Sequence, residues 1–176
     1  MRAFIAISIP KEIKDVLFDI QNVVGNDYAK IKWIAKKNLH LTLKFFPFVS
    51  EGKIKKIVEI LKTVKVKPFE VELSEVGFFP NLDSVRVIWV GLEPAEKVLN
   101  LQGEIDSKLS ELFEMDKIFK VHLSLGRVKF VKNKEGLIKK LKEIKISKLK
   151  FKIIGFELIQ STLTKDGPVY KIIEKF

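Results

Sequence analysis

Apolar and polar positions along the chain follow two rhythms, one of period two and one near 3.6. From Arg2 to Ile9 the run AFIAISI alternates small and large apolar residues, which predicts an opening strand. Pro10 suits the first turn of a helix, and Ile13, Val16, Leu17, Ile20 and Val24 then recur at helical spacing until Gly25 stops them. IKWI (31–34) and NLHLTLKFF (38–46) predict two strands close together. A second helix opens near Ser50, with Ile54, Ile57, Val58 and Leu61 facing inward and Lys53, Lys55, Lys56 and Lys62 mostly on the solvated side.

The second half repeats the rhythm loosely. FEVELSEVGFF (69–79) and VRVIWVGL (85–92) alternate as strands around a turn at Pro80 to Ser84. Pro94 begins a long helix carrying Val98, Leu101, Ile105, Leu109 and Leu112 on one side. A strand over KVHLSLGRVKF (120–130) and a short basic helix near Lys134 to Lys142 follow. LKFKIIGFELIQSTL (149–163) and VYKIIEKF (169–176) are joined by Asp166-Gly167-Pro168, which suggests a closing hairpin. No linker or low-complexity tract intervenes. The expectation is an α+β fold in one bilobal domain over residues 1–176. Its two similar lobes each hold an antiparallel sheet covered by helices, with a cleft between them.

Composition narrows the chemistry. A chain of 176 residues is long enough to bury a core without staples. It has no cysteine, which excludes disulfides, thiolate zinc sites and a cysteine nucleophile. No apolar run reaches the roughly 20 residues of a membrane span, and the start MRAFIAISIP is too short for a secretory signal. A cytoplasmic location without membrane partners is expected. The net charge is +11, and of 33 basic residues only Arg2, Arg86 and Arg127 are arginines. Such a surface attracts polyanions such as nucleic acid, and lysine-rich solvated surfaces of heat-adapted proteins account for it equally well. The arginines stand apart, because guanidinium is the better fork for phosphate.

The two histidines, His40 and His122, sit in two copies of one pattern, His-Leu-hydroxyl-Leu. Side chains alternate across a strand, so His40, Thr42, Lys44 and Phe46 share one face while Leu39, Leu41, Leu43 and Phe45 share the other. The same split separates His122 and Ser124 from Val121, Leu123 and Leu125. Neighbours on one face lie about 7 Å apart, close enough to touch one phosphate together. Each motif belongs on a central strand of its lobe, and facing strands bring the pairs together. A neutral imidazole can then take a proton from water or a ribose hydroxyl while a protonated one gives a proton to the leaving oxygen. The hydroxyls can donate to phosphate oxygens. No carboxylate shares these faces, so a metal centre would lack ligands, and no metal or other cofactor is expected. One such motif alone is more often an ordinary half-buried strand. The repeated use of every histidine is what points to a site.

On these residues the sequence resembles the two-histidine phosphoesterases, named for two HxTx motifs, and within them the LigT-like RNA 2′,3′-cyclic phosphodiesterases, also called 2′-5′ RNA ligases. MRAFIAISIP is similar to the opening strand of the family, IKWIAKKNLHLTLKFF to its first motif, FKVHLSLGRVK to its second and STLTKDGPVY to its closing hairpin. The resemblance implies opening of a terminal 2′,3′-cyclic phosphate on RNA to a 2′-phosphate, with His40 as proton donor, His122 as proton acceptor, and Thr42 and Ser124 on the phosphate. The residues alone give the pair and leave its order open. Ser124 stands where the family usually has Thr, and Val121 where proline is common. Lys44 is a candidate for neutralising phosphate. Arg127 matches the HxTxGR run of the family, and Gly126 permits a bulge that would aim it at the cleft. Trp33, Phe46, Phe79 and Tyr170 are candidates for stacking on RNA bases. The expected partner is RNA with a 2′,3′-cyclic phosphate end, such as transfer-RNA halves, bound by a monomer. Reversible ATP-independent 2′-5′ ligation is a further use of the same acid and base. The alternatives are a non-catalytic RNA-binding module and a phosphodiesterase for small cyclic nucleotides.

Overall fold

The strand and helix rhythms are realised in a different pairing from the one their order suggests. The computed structural model describes residues 1–81 and 83–176; the turn expected at Pro80 to Ser84 contains Leu82, which lies outside the described residues. In chain order the elements are β1 (Arg2–Ser8), α1 (Lys11–Val24), β2 (Ala29–Trp33), β3 (His40–Phe46), α2 (Glu51–Leu61), β4 (Phe69–Asn81), β5 (Ser84–Glu93), α3 (Glu96–Lys108), β6 (Leu123–Val131), α4 (Lys134–Glu143), β7 (Lys150–Ile153), β8 (Glu157–Thr164) and β9 (Gly167–Lys175). A 3-10 turn at Lys36–Asn38 leads into β3.

Two antiparallel sheets result, ordered β3-β1-β8-β9 and β2-β6-β5-β4-β7. The chain is shared between them. β2 and β3, adjacent in sequence, join different sheets, and the apolar run 149–163 divides into β7 of one sheet and β8 of the other. The sequence puts the first motif strand at the centre of its lobe. β3 instead forms the edge of the first sheet, and from there it adjoins β6 of the second. Helices cross over likewise: α1 packs on β6, while α3 packs on β3. One continuous apolar core includes Ile5 and Ile7 of β1, Leu17 of α1, Leu41 of β3, Ile105 of α3 and Leu125 of β6. The closing hairpin turns at Gly167, whose φ of +120° favours glycine.

The two motif strands carry the same irregularity. Ala6 pairs with Thr42 but Ile5 with Lys44, so Leu43 is an extra residue in β3. Trp89 pairs with Ser124 but Ile88 with Gly126, so Leu125 is extra in β6. Each insertion falls three residues after its histidine. A bulge keeps two successive side chains on one face, and everything beyond it reverses.

Strict alternation is therefore corrected at Lys44 and Phe46. Both turn into the helix-covered core: Phe46 is buried against Phe113, with ring centroids 4.6 Å apart. Lys44 is 4 % exposed and ion-paired with Asp106 of α3, 2 % exposed, while its Nζ also donates to the Glu114 carbonyl at 3.0 Å. Neither reaches the face of His40. Phe45 takes the position on that face instead, paired with Phe4.

Polar side chains brace both bulges from the helix side. The Asp106 carboxylate, besides holding Lys44, accepts from the Asp116 backbone N–H at 2.6 Å. In the second sheet the buried Gln21 amide of α1 donates to the Leu125 and Ile34 carbonyls, each at 2.9 Å. Gly126 is required beside it, because an added Cβ would meet Trp33 at 2.7 Å and Ile31 at 2.8 Å.

Removing Lys44 leaves Asp106 as a buried, uncompensated charge. Lys44→Ala is expected to lower unfolding free energy by about 3–5 kcal/mol, read as a shift in the urea midpoint. A shift equivalent to less than about 1 kcal/mol, the range of an exposed pair, would contradict the brace.

Candidate active site

The two histidines are held in the same way. His40 Nδ1 lies 2.6 Å from the Asn38 carbonyl, and His122 Nδ1 lies 2.6 Å from the Lys120 carbonyl. A carbonyl can only accept, so each Nδ1 carries the hydrogen and each neutral ring keeps its lone pair on Nε2. The acceptor is two residues upstream in both cases, a local geometry repeated with the motif. His40 begins β3, and His122 stands one residue before β6.

Thr42 completes the first half-site. Its Oγ1 is 2.9 Å from His40 Nε2, donating to the neutral ring and accepting from the protonated one. Phe4 stacks on His40 with ring centroids 4.7 Å apart, and Tyr170 meets the imidazole edge-on at 5.6 Å. Asn38, buried, donates from Nδ2 to the Pro168 carbonyl at 3.0 Å. The carbonyl that orients His40 is thus tied to the β8–β9 hairpin.

The second half-site has a different wall. Phe79 lies edge-on to His122 at 5.0 Å, and Trp89, the partner of Ser124, is 6.3 Å away. The Lys120 ammonium sits over the Trp89 ring at 4.7 Å and over Phe79 at 5.4 Å. The bulge at Leu125 puts Arg127 on the face of Ser124, where it pairs with Val87, the partner of Phe79.

Charge and burial act together here. Burial pushes both imidazoles below their ordinary value of 6.5; the backbone hydrogen bonds at Asn38 and Lys120 oppose it, while the Lys14 and Lys120 ammonium groups reinforce it. The Tyr170 hydroxyl is raised by burial and pulled back by the charges of Arg127 and Arg2. Arginines of both sheets therefore act on one hydroxyl beside His40.

Of the residues the sequence singled out, His40, Thr42 and Tyr170 lie together on one wall and His122, Ser124, Arg127 and Phe79 on the other. Trp33 packs over Gly126. Lys44 and Phe46 are in the core. Sequence reasoning missed Asn38, Gln21, Lys120, Trp89 and Phe45. Only Asn38 and Lys120 carried a signal, each standing two residues before a histidine. Among the described residues no group of three or more His, Asp or Glu side chains is placed to hold a metal ion, and no helix is long and apolar enough to cross a membrane.

Comparison with known proteins agrees with the duplicated geometry. The family model described as LigT like Phosphoesterase matches the chain twice, over residues 7–89 and 90–170, one motif in each match. An RNA 2′,3′-cyclic phosphodiesterase of Methanocaldococcus jannaschii is 37 % identical over the full length of both chains. One of Archaeoglobus fulgidus is 36 % identical over all of this chain and 99 % of its own. Among solved structures, a Thermus thermophilus protein superposes with a TM-score of 0.80 at 27 % identity, covering 100 % of this chain and 97 % of that one. The fold is also that of Escherichia coli LigT in its apo form, with a TM-score of 0.78, 22 % identity and coverage of 99 % and 95 %.

Both histidines are held below 6.5, so the unfolded chain takes up protons before the folded one. Their contribution to stability is complete above about pH 6.5 and is lost as pH falls toward the folded values. Nitrogen-detected NMR is expected to show both rings as Nδ1–H tautomers titrating below 6.5. A ring titrating above that value, or protonated on Nε2 alone when neutral, would contradict the geometry.

Proposed function

The chain belongs to the LigT-like phosphoesterase family, and from that premise we propose that it opens the 2′,3′-cyclic phosphate at the end of an RNA to a 2′-phosphate. The observation that carries the proposal is the pair of imidazoles, each fixed through Nδ1 to a backbone carbonyl with Nε2 as the proton-transfer nitrogen, that of His40 resting on Thr42 Oγ1. In this reading His122 Nε2 takes a proton from water as the water oxygen bonds to phosphorus. His40, protonated, delivers its Nε2 proton to the 3′ oxygen as the P–O3′ bond breaks. Thr42 and Ser124 donate to the non-bridging oxygens, and Arg127 offsets the charge that develops on them. Tyr170 borders the phosphate beside His40.

The substrate anion matters to the protonation states. Burial alone disfavours the imidazolium of His40, and a bound phosphodiester restores it by opposite charge. The second imidazole then stays neutral by repulsion from the first and from the Lys120 ammonium, which divides acid from base. In the cell this reading makes the protein a cytoplasmic monomer, a single two-lobed unit of residues 1–176, acting on RNA ends such as transfer-RNA halves. A ribose hydroxyl in place of water would run the same steps toward 2′-5′ joining. Water at its own concentration favours hydrolysis.

The test is RNA ending in a 2′,3′-cyclic phosphate, incubated with excess EDTA, with the product phosphate located by NMR. A 2′-phosphate is expected, with turnover reduced about 100- to 10,000-fold in His40→Ala and in His122→Ala. Full turnover by the double variant, or RNA binding with no hydrolysis of any cyclic phosphate by the native chain, would overturn the proposal.

A further inference from the structure

Among the described residues the buried polar side chains are Gln21, Asn38, Lys44, Gln102 and Asp106. Each must recover in hydrogen bonds what it loses by leaving water. All but Asn38 grip one of two short segments, and each segment runs into a histidine. The first segment is 113–122, which forms neither helix nor strand. The bulge in β3 turns Phe46 and Lys44 toward it. Phe46 packs on Phe113. Lys44 Nζ donates to the Glu114 carbonyl at 3.0 Å and lies 3.5 Å from the Asp116 carboxylate. From α3, Asp106 accepts from the Asp116 backbone N–H, and Gln102 Nε2 donates to the Asp116 carboxylate at 3.3 Å. Four residues after Asp116 comes Lys120, whose carbonyl fixes His122 Nδ1. Phe119 and Val121, on either side of it, pack on the core.

The second segment is 34–39. Its holder is the bulge residue of the other motif strand. The Leu125 carbonyl accepts from the Ile34 N–H and from Gln21 Nε2, each at 2.9 Å. Gln21 Nε2 also donates to the Ile34 carbonyl at 2.9 Å, so one buried amide joins the two chains. Four residues after Ile34, through the 3-10 turn, comes Asn38, whose carbonyl fixes His40 Nδ1. The arrangement is reciprocal. The strand that carries His40 holds the approach to His122, and the strand that carries His122 holds the approach to His40.

We infer that each motif strand positions the histidine of the other: Lys44 is a positioning residue for His122, and Gln21, fastened to Leu125, is one for His40. Neither touches an imidazole. Each acts through a backbone carbonyl that sets where the ring stands and which nitrogen carries its hydrogen. Replacing a buried ion pair by apolar residues of similar volume is often neutral for stability. What Lys44 and Asp106 supply beyond apolar packing is register, because a hydrogen bond weakens steeply away from its axis. The bulges thus do more than aim side chains at the open face. They turn the strand beyond each half-site into a clamp on the other, so the spacing of the two rings is fixed from both sides.

The experiment is nitrogen NMR of the histidine rings in the native chain, in Lys44→Met and in Gln21→Leu. A third variant, Lys44→Met/Asp106→Asn, leaves no buried charge and carries the test if Lys44→Met does not fold. In the Lys44 variants His122 is expected to become a mixture of tautomers while His40 keeps its hydrogen on Nδ1. In Gln21→Leu the rings exchange these outcomes. Both rings unchanged, both rings altered alike, or the change falling on the ring of the mutated strand would each overturn the inference. A general loss of structure moves both rings, so the crossed pattern separates positioning from stability. The kinetic arm rests on the function proposed above: for RNA ending in a 2′,3′-cyclic phosphate, kcat should fall about 10- to 100-fold in each variant. KM should stay within about threefold, because a misplaced proton carrier spares binding. An unchanged kcat in a folded variant would also overturn the inference. If the native chain turns over no cyclic phosphate, the proposed activity fails, and the tautomers alone decide the clamp.

Discussion

A single extra residue in each motif strand sets the architecture of the site. Leu43 in β3 and Leu125 in β6 are both inserted three positions after a histidine. Upstream of each insertion, the histidine and the hydroxyl face the open side of the sheet. Downstream, the face reverses, so Phe45 and Arg127 join them while Lys44 and Gly126 turn to the helices. A regular strand carrying the same residues would put Lys44 beside the phosphate and Phe45 in the core. The braces follow from the bulges. Each interrupts a ladder of backbone hydrogen bonds, and polar groups from crossing helices hold the distorted segment: Gln21 on the Leu125 carbonyl, Asp106 on Lys44.

The exchange of elements between sheets makes those braces possible. α1 follows a strand of the first sheet and packs on the second, and α3 does the reverse. Each helix therefore ties one half of the chain to the motif strand of the other. The half-sites are held in place by one shared core rather than by a flexible junction. Symmetry stops at the walls. His40 is set among Phe4, Tyr170 and Thr42, and His122 among Phe79, Trp89 and the Lys120 ammonium.

Much of this was readable in the residues. The amphipathic spacing of Ile13, Leu17, Ile20 and Val24 located α1, and the alternation around His40 and His122 located the motif strands. The α+β class follows from those patterns, and so does the pairing of each imidazole with a hydroxyl on its own face. Strand partners were not readable, because β2 and β3 are neighbours in sequence and the exchange between sheets is decided by long-range packing. The fate of Lys44 was hidden for a more specific reason. Its partner Asp106 is 62 residues away, and a bulge at an ordinary leucine leaves no mark in composition. Gly126 did announce the other bulge, since a missing side chain signals close approach, and that bulge turns Arg127 to the face of Ser124.

The central claim is that two imidazoles with matched geometry act as opposite partners in one proton transfer. The most direct measurement is the pH dependence of kcat/KM for a 2′,3′-cyclic phosphate in the native chain and in each single histidine variant. The native profile should be bell-shaped. His122→Ala should lose the acid limb, where the base becomes protonated, and keep the basic limb. His40→Ala should lose the basic limb and keep the acid one. A bell with both limbs intact in either variant would contradict the claim, because some other group would then be carrying the proton.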